Sequence, residues 1–259
     1  MEDLQQVPTK SRRVLFLAVA AIQASLTFIM MMMVSGVIQC FRTCYKCCGV
    51  KCSVLDPVFY EDWFSFNIGL PALRAMTSDR YLNLTCTIRQ GLQAPEMDLH
   101  TLDGVSTRLT DLQRAGRPLI INFGSCSWLP FMGKLDVYNG MVRRYSDVAD
   151  FVTVYVAEAH PLDGWALLNH NKYSRHQHKD LQERISAALV LQEAGLDGSL
   201  LVDSMCNQGP EVFAALPERM YVILDGVVTY KGGLGPFGYQ PEQVARWLKR
   251  WQESMTINA

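Results

Sequence analysis

The fold turns on one stretch, Pro118-Leu-Ile-Ile-Asn-Phe-Gly-Ser-Cys-Ser-Trp-Leu-Pro-Phe-Met132. Its first half, Pro118 to Phe123, is a short apolar run stopped by Gly124, the profile of a strand buried on both faces. Past the loop, Leu135, Tyr138, Met141 and Val142 recur at helical spacing, which predicts a helix from Phe131 to Tyr145. Working outward, Phe151-Val-Thr-Val-Tyr-Val156 is rich in β-branched and aromatic residues and reads as a second buried strand. Leu181, Ile185, Ala188 and Leu189 share one face of a further helix closed near Gly195, and a short strand is expected at Leu200 to Val202. Met220 to Leu224 and Val227 to Tyr230 flank Asp225-Gly226, a two-residue hairpin signal. Pro241 opens a last helix in which Val244, Trp247, Leu248 and Trp251 form one apolar stripe, read as core.

Strand, helix, strand, helix, hairpin, helix is the order of a thioredoxin-like α/β fold, a mixed sheet with helices on both faces. In that fold the loop Gly124 to Pro130 sits at the amino end of the following helix. Unsatisfied N–H groups and the helix dipole there favour an anion, which suits a nucleophilic thiolate or selenolate. Taken alone, Cys126 reads as an inert half-buried cysteine, with a lone redox thiol lacking a Cys-x-x-Cys partner as the weaker alternative.

Toward the amino terminus, no charged residue interrupts the run from Val14 to Phe41. At 1.5 Å per residue it is long enough to cross a hydrocarbon core of about 30 Å. It is too long for a cleaved signal, and Val37-Ile38-Gln39 is not a small-residue cleavage site. The expected organisation is a tail at 1–13, a transmembrane helix at 14–38, a Cys-rich juxtamembrane linker at 39–90 and a thioredoxin-like domain at 91–259. Lys10, Arg12 and Arg13 before the span are matched by Arg42, Lys46 and Lys51 after it, so charge does not orient it. The net charge of −1 and the lack of a basic block exclude a nucleic-acid footprint. Cys40, Cys44, Cys47, Cys48 and Cys52 crowd the membrane side and read as palmitoylation candidates, with a zinc site at Cys44-x-x-Cys47 as the alternative. Cys86, Cys126 and Cys206 form no disulfide framework, so the catalytic domain is expected in the cytosol, held at the plasma membrane or endoplasmic reticulum. Asn83-Leu84-Thr85 is a sequon usable only if the domain were lumenal.

The loop Asn122-Phe-Gly-Ser-Cys-Ser-x-x-Pro-Phe-Met132 resembles the selenocysteine loop of the iodothyronine deiodinases. Glu158-Ala-His160-Pro-Leu-Asp163-Gly-Trp165 is similar to that family's segment after the next strand. His178-Lys-Asp-Leu-Gln-Glu-Arg184, Ala215-Leu-Pro-Glu-Arg219-Met-Tyr and Tyr230-Lys-Gly-Gly-Leu-Gly-Pro236 match further along, so the likeness covers Gly91 to Trp251. The resemblance implies reductive removal of iodine from thyroid hormone by a homodimeric membrane enzyme, with a thiol reductant as co-substrate and no bound cofactor or metal. It implies that Trp128 occupies the selenocysteine position, that Cys126 assists turnover and that Ser127 lines the loop. It also makes Glu158 and His160 a proton-handling pair, and His178 and Arg219 ligands for the polar ends of the hormone.

Two residues depart from the pattern. Indole is a hydrogen-bond donor with no accessible anion, so Trp128 cannot attack iodine, and Leu129 stands where a proline is expected. Selenocysteine is encoded by UGA, one base from the tryptophan codon UGG, so a misread codon is one explanation. The other is an inactive homologue that binds hormone or serves a structural role. His170, His176 and His178 stand among Lys172, Arg175 and Lys179, and read as a solvated basic loop rather than a metal site.

Overall fold

The computed structural model describes residues 10–48, 69–166 and 172–257, with side chains placed in the first segment up to Met33. The juxtamembrane cysteines and His170 therefore lie outside the described side chains. The chain divides into two compact units. One comprises Cys86–Ala159 and Gln177–Ala259, and the other Val7–Thr85 and His160–His176.

The first unit contains a seven-stranded sheet: β1 (Asp98–His100), β2 (Ser106–Arg108), β3 (Leu119–Gly124), β4 (Asp150–Tyr155), β5 (Ser199–Asp203), β6 (Arg219–Leu224) and β7 (Val227–Lys231). Their spatial order is β2-β1-β5-β4-β3-β6-β7. β3 runs parallel to β4 and β4 parallel to β5, while β6 is antiparallel to β3 and β7 to β6. A parallel pair joined through a helix and extended by an antiparallel hairpin is the thioredoxin-like core. The helices are α3 (Leu129–Gly133), α4 (Leu135–Tyr145), α5 (Leu181–Glu193), α6 (Gln208–Phe213) and α7 (Pro241–Ile257). α4 packs on α7, and α5 on β5.

The apolar runs became the central strands: every residue of β3 is buried, as are all of β4 after Asp150. Phe123, Phe213 and Tyr221 cluster beneath the sheet with ring centroids 5.3 to 6.2 Å apart. Asp225 and Gly226 adopt φ of 49° and 80°, the left-handed pair that a two-residue hairpin of this twist demands. The predicted helix at 131–145 is two helices, broken at Lys134, whose φ of −101° and ψ of 3° leave the helical range. The β1–β2 hairpin and α6 had no sequence prediction. β1 has only three residues and is held by pairing to β5, which no local pattern records.

In the second unit, α1 (Lys10–Cys48) is longer than the predicted span at both ends. Its segment Lys10–Met33 is the one described helix long and apolar enough to cross a membrane. A further helix, α2 (Leu70–Thr85), falls inside the stretch expected to be linker. Charged Arg74, Asp79 and Arg80 interrupt its apolar positions and hide the period. Ala24, Ala72 and Met76 bury together where α2 meets α1, and Arg80 Nη2 donates to Thr27 Oγ1 at 2.7 Å.

Candidate active site

The loop leaving β3 begins at Gly124, where a Cβ would lie 2.4 Å from the Phe131 ring. Only glycine lets that ring close against the strand end, and the loop then turns back through the hydrogen bond from Trp128 N to Ser125 O, 3.2 Å. Cys126 is fully buried, Ser127 is 4% exposed, and Trp128 is partly open at the start of α3. The Cys126 backbone N–H donates to the Tyr155 hydroxyl at 3.2 Å.

Behind the loop, three residues, Ser127, Tyr155 and His178, converge on one carboxylate. Glu158, just past β4 and 2% exposed, accepts at Oε2 from Ser127 N–H at 3.2 Å. Its Oε1 accepts from the Tyr155 hydroxyl at 2.5 Å and faces His178 Nε2 at 3.0 Å. Gln177 clamps the Glu158 backbone on both sides, accepting its N–H and donating to its carbonyl. Burial pushes the Glu158 carboxyl up, but hydrogen bonds from His178, Ser127 and Tyr155 outweigh it and hold the group below its ordinary value. The buried Arg184, on α5, brings its Nε to 3.4 Å from His178 Nδ1. A guanidinium can only donate, so Nδ1 is the acceptor and the imidazole proton resides on Nε2, directed at Glu158. The rest of Arg184 is fixed by the carbonyls of Asp203 and Ser204 and by Asn207 Oδ1.

The structure thus brings Ser127, Glu158 and His178 together, with Cys126 joined through Tyr155. His160 belongs to the second unit, where its Nδ1 is 2.9 Å from the Trp165 carbonyl oxygen and its ring meets the Trp165 indole edge-on at 4.6 Å. Burial holds it at about 4, against the opposing pull of that carbonyl, so it is neutral at pH 7. His178 and Arg219, expected to meet the hormone, are 8% and 2% exposed. Arg219 starts β6, with Nη1 3.5 Å from the Tyr221 hydroxyl. On the other side of the loop after β3, the Trp128 indole N–H donates to Glu218 Oε1 at 2.7 Å. Tyr155, Gln177, Arg184 and Glu218 had no predicted role. Arg184 and Glu218 did lie within quoted motif segments, and Tyr155 ends the strand that leads to Glu158. No group of three or more potential metal ligands occurs among the described residues.

A thioredoxin-like domain with a buried acid, phenol and imidazole network behind the loop after its first core strand defines the class of this protein. A family model described as iodothyronine deiodinase matches residues 8–252, and the chain belongs to that family. Thyroxine 5-deiodinase of Bos taurus is 37% identical over 187 residues, covering 72% of this chain and 62% of that protein. Type I iodothyronine deiodinase of Xenopus laevis is 36% identical over 198 residues, covering 76% of this chain and 78% of that protein. Among solved structures, a putative thiol:disulfide interchange protein DsbE from Chlorobium tepidum matches 64% of this chain and 97% of its own at a TM-score of 0.44 and 15% identity. The match to the bovine relative spans less than two thirds of that protein's length.

Proposed function

We propose that this protein reductively deiodinates iodothyronines and that its active form carries selenocysteine at position 128. The observation that carries the reading is the Glu158 network, which ties a carboxylate, a phenol and an oriented imidazole to the backbone of the reactive loop through Ser127 N–H. Fixing that amide fixes the direction of the next side chain, a positioning role that a nucleophile needs. The selenolate takes iodine from the ring carbon as a proton takes its place, leaving hormone C–H and a selenenyl iodide. A thiol then displaces iodide to give a selenenyl sulfide, and a second thiol releases the selenol and a disulfide. His160, neutral at pH 7, is the proton-handling group on this reading, and Arg219 supplies the cation for a hormone carboxylate. His178 serves as the positioning partner of Glu158.

The relatives named as thyroxine and iodothyronine deiodinases support the substrate class. A membrane anchor is supported by the largely exposed apolar side chains of Val14, Leu15, Leu17, Ile22, Leu26 and Ile29, surface that lipid would cover. A cytosolic catalytic domain, a thiol reductant and a homodimer complete the reading. Peptide mass analysis of protein from its natural source tests it: selenium at position 128 is expected. Plain tryptophan there, in material that still releases iodide from thyroxine, would overturn the mechanism.

One observation favours a second reading, a hormone-binding homologue without turnover: the Trp128 indole has a well-placed acceptor in Glu218. Labelled thyroxine bound without iodide release, by protein shown to carry tryptophan, is the outcome it requires.

A further inference from the structure

Glu218 is a fully buried carboxyl that the mechanism above leaves unused. It follows Pro217, whose peptide bond is cis, and immediately precedes β6. Nothing of its side chain is exposed; Oε1 accepts from the Trp128 indole N–H, and Oε2 has no hydrogen-bond partner among the described residues. Gly235 presses its backbone against it so closely that a Cβ there would lie 2.3 Å from Cγ and Oε1. The charged and titratable groups that act on it among the described residues are Lys134 at the α3–α4 break and Tyr239. Lys134 is engaged by Glu242, Nζ to Oε1 3.2 Å, and the Tyr239 hydroxyl donates to Asn122 Oδ1 at 2.9 Å. Neither is bonded to the Glu218 carboxyl, and a buried carboxylate without a partner cation is costly.

We propose that Glu218 is the base and proton store for residue 128: it takes the proton from a selenol or thiol at that position and leaves the anion on the chalcogen. One bond breaks, chalcogen to hydrogen, and one forms, hydrogen to carboxylate oxygen, so the pair keeps one proton and one negative charge throughout. Burial decides where each resides. Residue 128 is partly open to solvent and Glu218 is not, so the charge settles on the outer atom and the proton on the inner one. With Trp128 in place, burial raises Glu218 to about 8 against the opposing Trp128 hydrogen bond and Lys134, which makes it a far stronger base than an ordinary carboxylate. It is also neutral when the nucleophile is charged, so it does not repel the anion that it helped to form.

This role rests on the proposed reading of position 128, but its test needs no hormone. In the full-length Trp128→Cys protein, thiolate ultraviolet absorbance and the rate of alkylation by iodoacetamide are followed against pH, with and without Glu218→Gln. The pair should titrate in two apparent steps that belong to both groups, and Glu218→Gln should leave one. An ordinary thiol titrates near 8.5, so losing the base should lower alkylation at pH 7 by roughly tenfold, the equivalent of about one pKa unit. Identical single-step profiles in both proteins would overturn the proposal. Infrared spectroscopy of the chain as it stands gives a second measurement, independent of the new thiol. A protonated-carboxyl band at pH 7 that disappears in Glu218→Gln is expected, and its absence from the parent would also overturn the proposal. Iodide release by a Trp128→Sec chain is scored separately: failure there with the two-step titration intact removes the deiodinase reading and leaves the Glu218 assignment standing.

Discussion

Replacing Glu158 with glutamine keeps the side-chain volume and alters only charge and hydrogen-bond polarity. Three donors converge on the carboxylate: Tyr155 at 2.5 Å, His178 at 3.0 Å and Ser127 N–H at 3.2 Å. Glutamine offers one acceptor oxygen and one NH2 group, so its nitrogen must face at least one of those donors. Tyr155 can turn its hydroxyl to accept, but the Ser127 amide cannot, and His178 is held as an Nε2–H donor by Arg184. Hydrogen bonds to a charged group are worth about 1.5 to 3 kcal/mol, and a buried donor left unmade costs about 1 to 3. The expected loss is therefore about 3 to 5 kcal/mol. At roughly 2 to 4 °C per kcal/mol for a domain of this size, the melting temperature at pH 7 should fall on the order of 10 °C. The pH dependence has a definite sign. Because the folded-state pKa of Glu158 is lowered, its contribution is complete above the ordinary value of 4.5 and is lost as pH falls through the lower folded value. The gap between parent and variant should thus be widest near neutrality and shrink in acid. Thermal unfolding of the full chain, followed by circular dichroism from pH 7 downward, measures both. An unchanged melting temperature at pH 7, or a gap that widens in acid, would refute the account of this network.

His160→Phe in a Trp128→Sec background should lower iodide release by about tenfold to a hundredfold, toward the lower end of what an acid–base group contributes, with hormone affinity nearly unchanged; full turnover in a well-folded variant contradicts the assignment. The same variant should flatten the acid limb of stability, because His160 stays neutral in the folded chain down to about 4, and its stabilisation, complete above 6.5, is lost as pH falls between those values. Arg184→Met should free the His178 tautomer and strand the carbonyls of Asp203 and Ser204, at a cost of about 3 kcal/mol or more, read as a lower denaturant midpoint; a midpoint equal to the parent's counts against it. Deleting the apolar segment Val14 to Met33 should move the protein from the membrane pellet to the supernatant after carbonate extraction, and a deletion that still pellets with lipid argues against the anchor.

The sequence by itself determined the elements whose side-chain pattern is complete within one segment. β3 and β4 were legible because strands buried on both faces must be continuously apolar, and the β6–β7 turn because only Asp225-Gly226 in that stretch tolerates two left-handed residues. The spacing of Leu181, Ile185 and Ala188 located α5 for the same reason. The loop after β3 stood out because its motif residues are contiguous, and the family was legible because several such segments recur in order. What escaped was structure stabilised from outside its own segment. β1 exists through its pairing with β5, and α6, six residues between the left-handed Asn207 and Ala214, is too short to carry a period. The sequence paired Glu158 with His160 and missed His178 as its partner for the same reason. Along the chain His160 is its near neighbour, yet the carboxylate meets His178, twenty residues away, because the start of α5 returns to the end of β4 and Arg184 turns the ring toward it. Composition and spacing determine which groups are available. Which donor reaches which acceptor, and how far burial moves Glu218 from an ordinary carboxyl, is decided only when the sheet brings distant segments within 3 Å and removes the water between them.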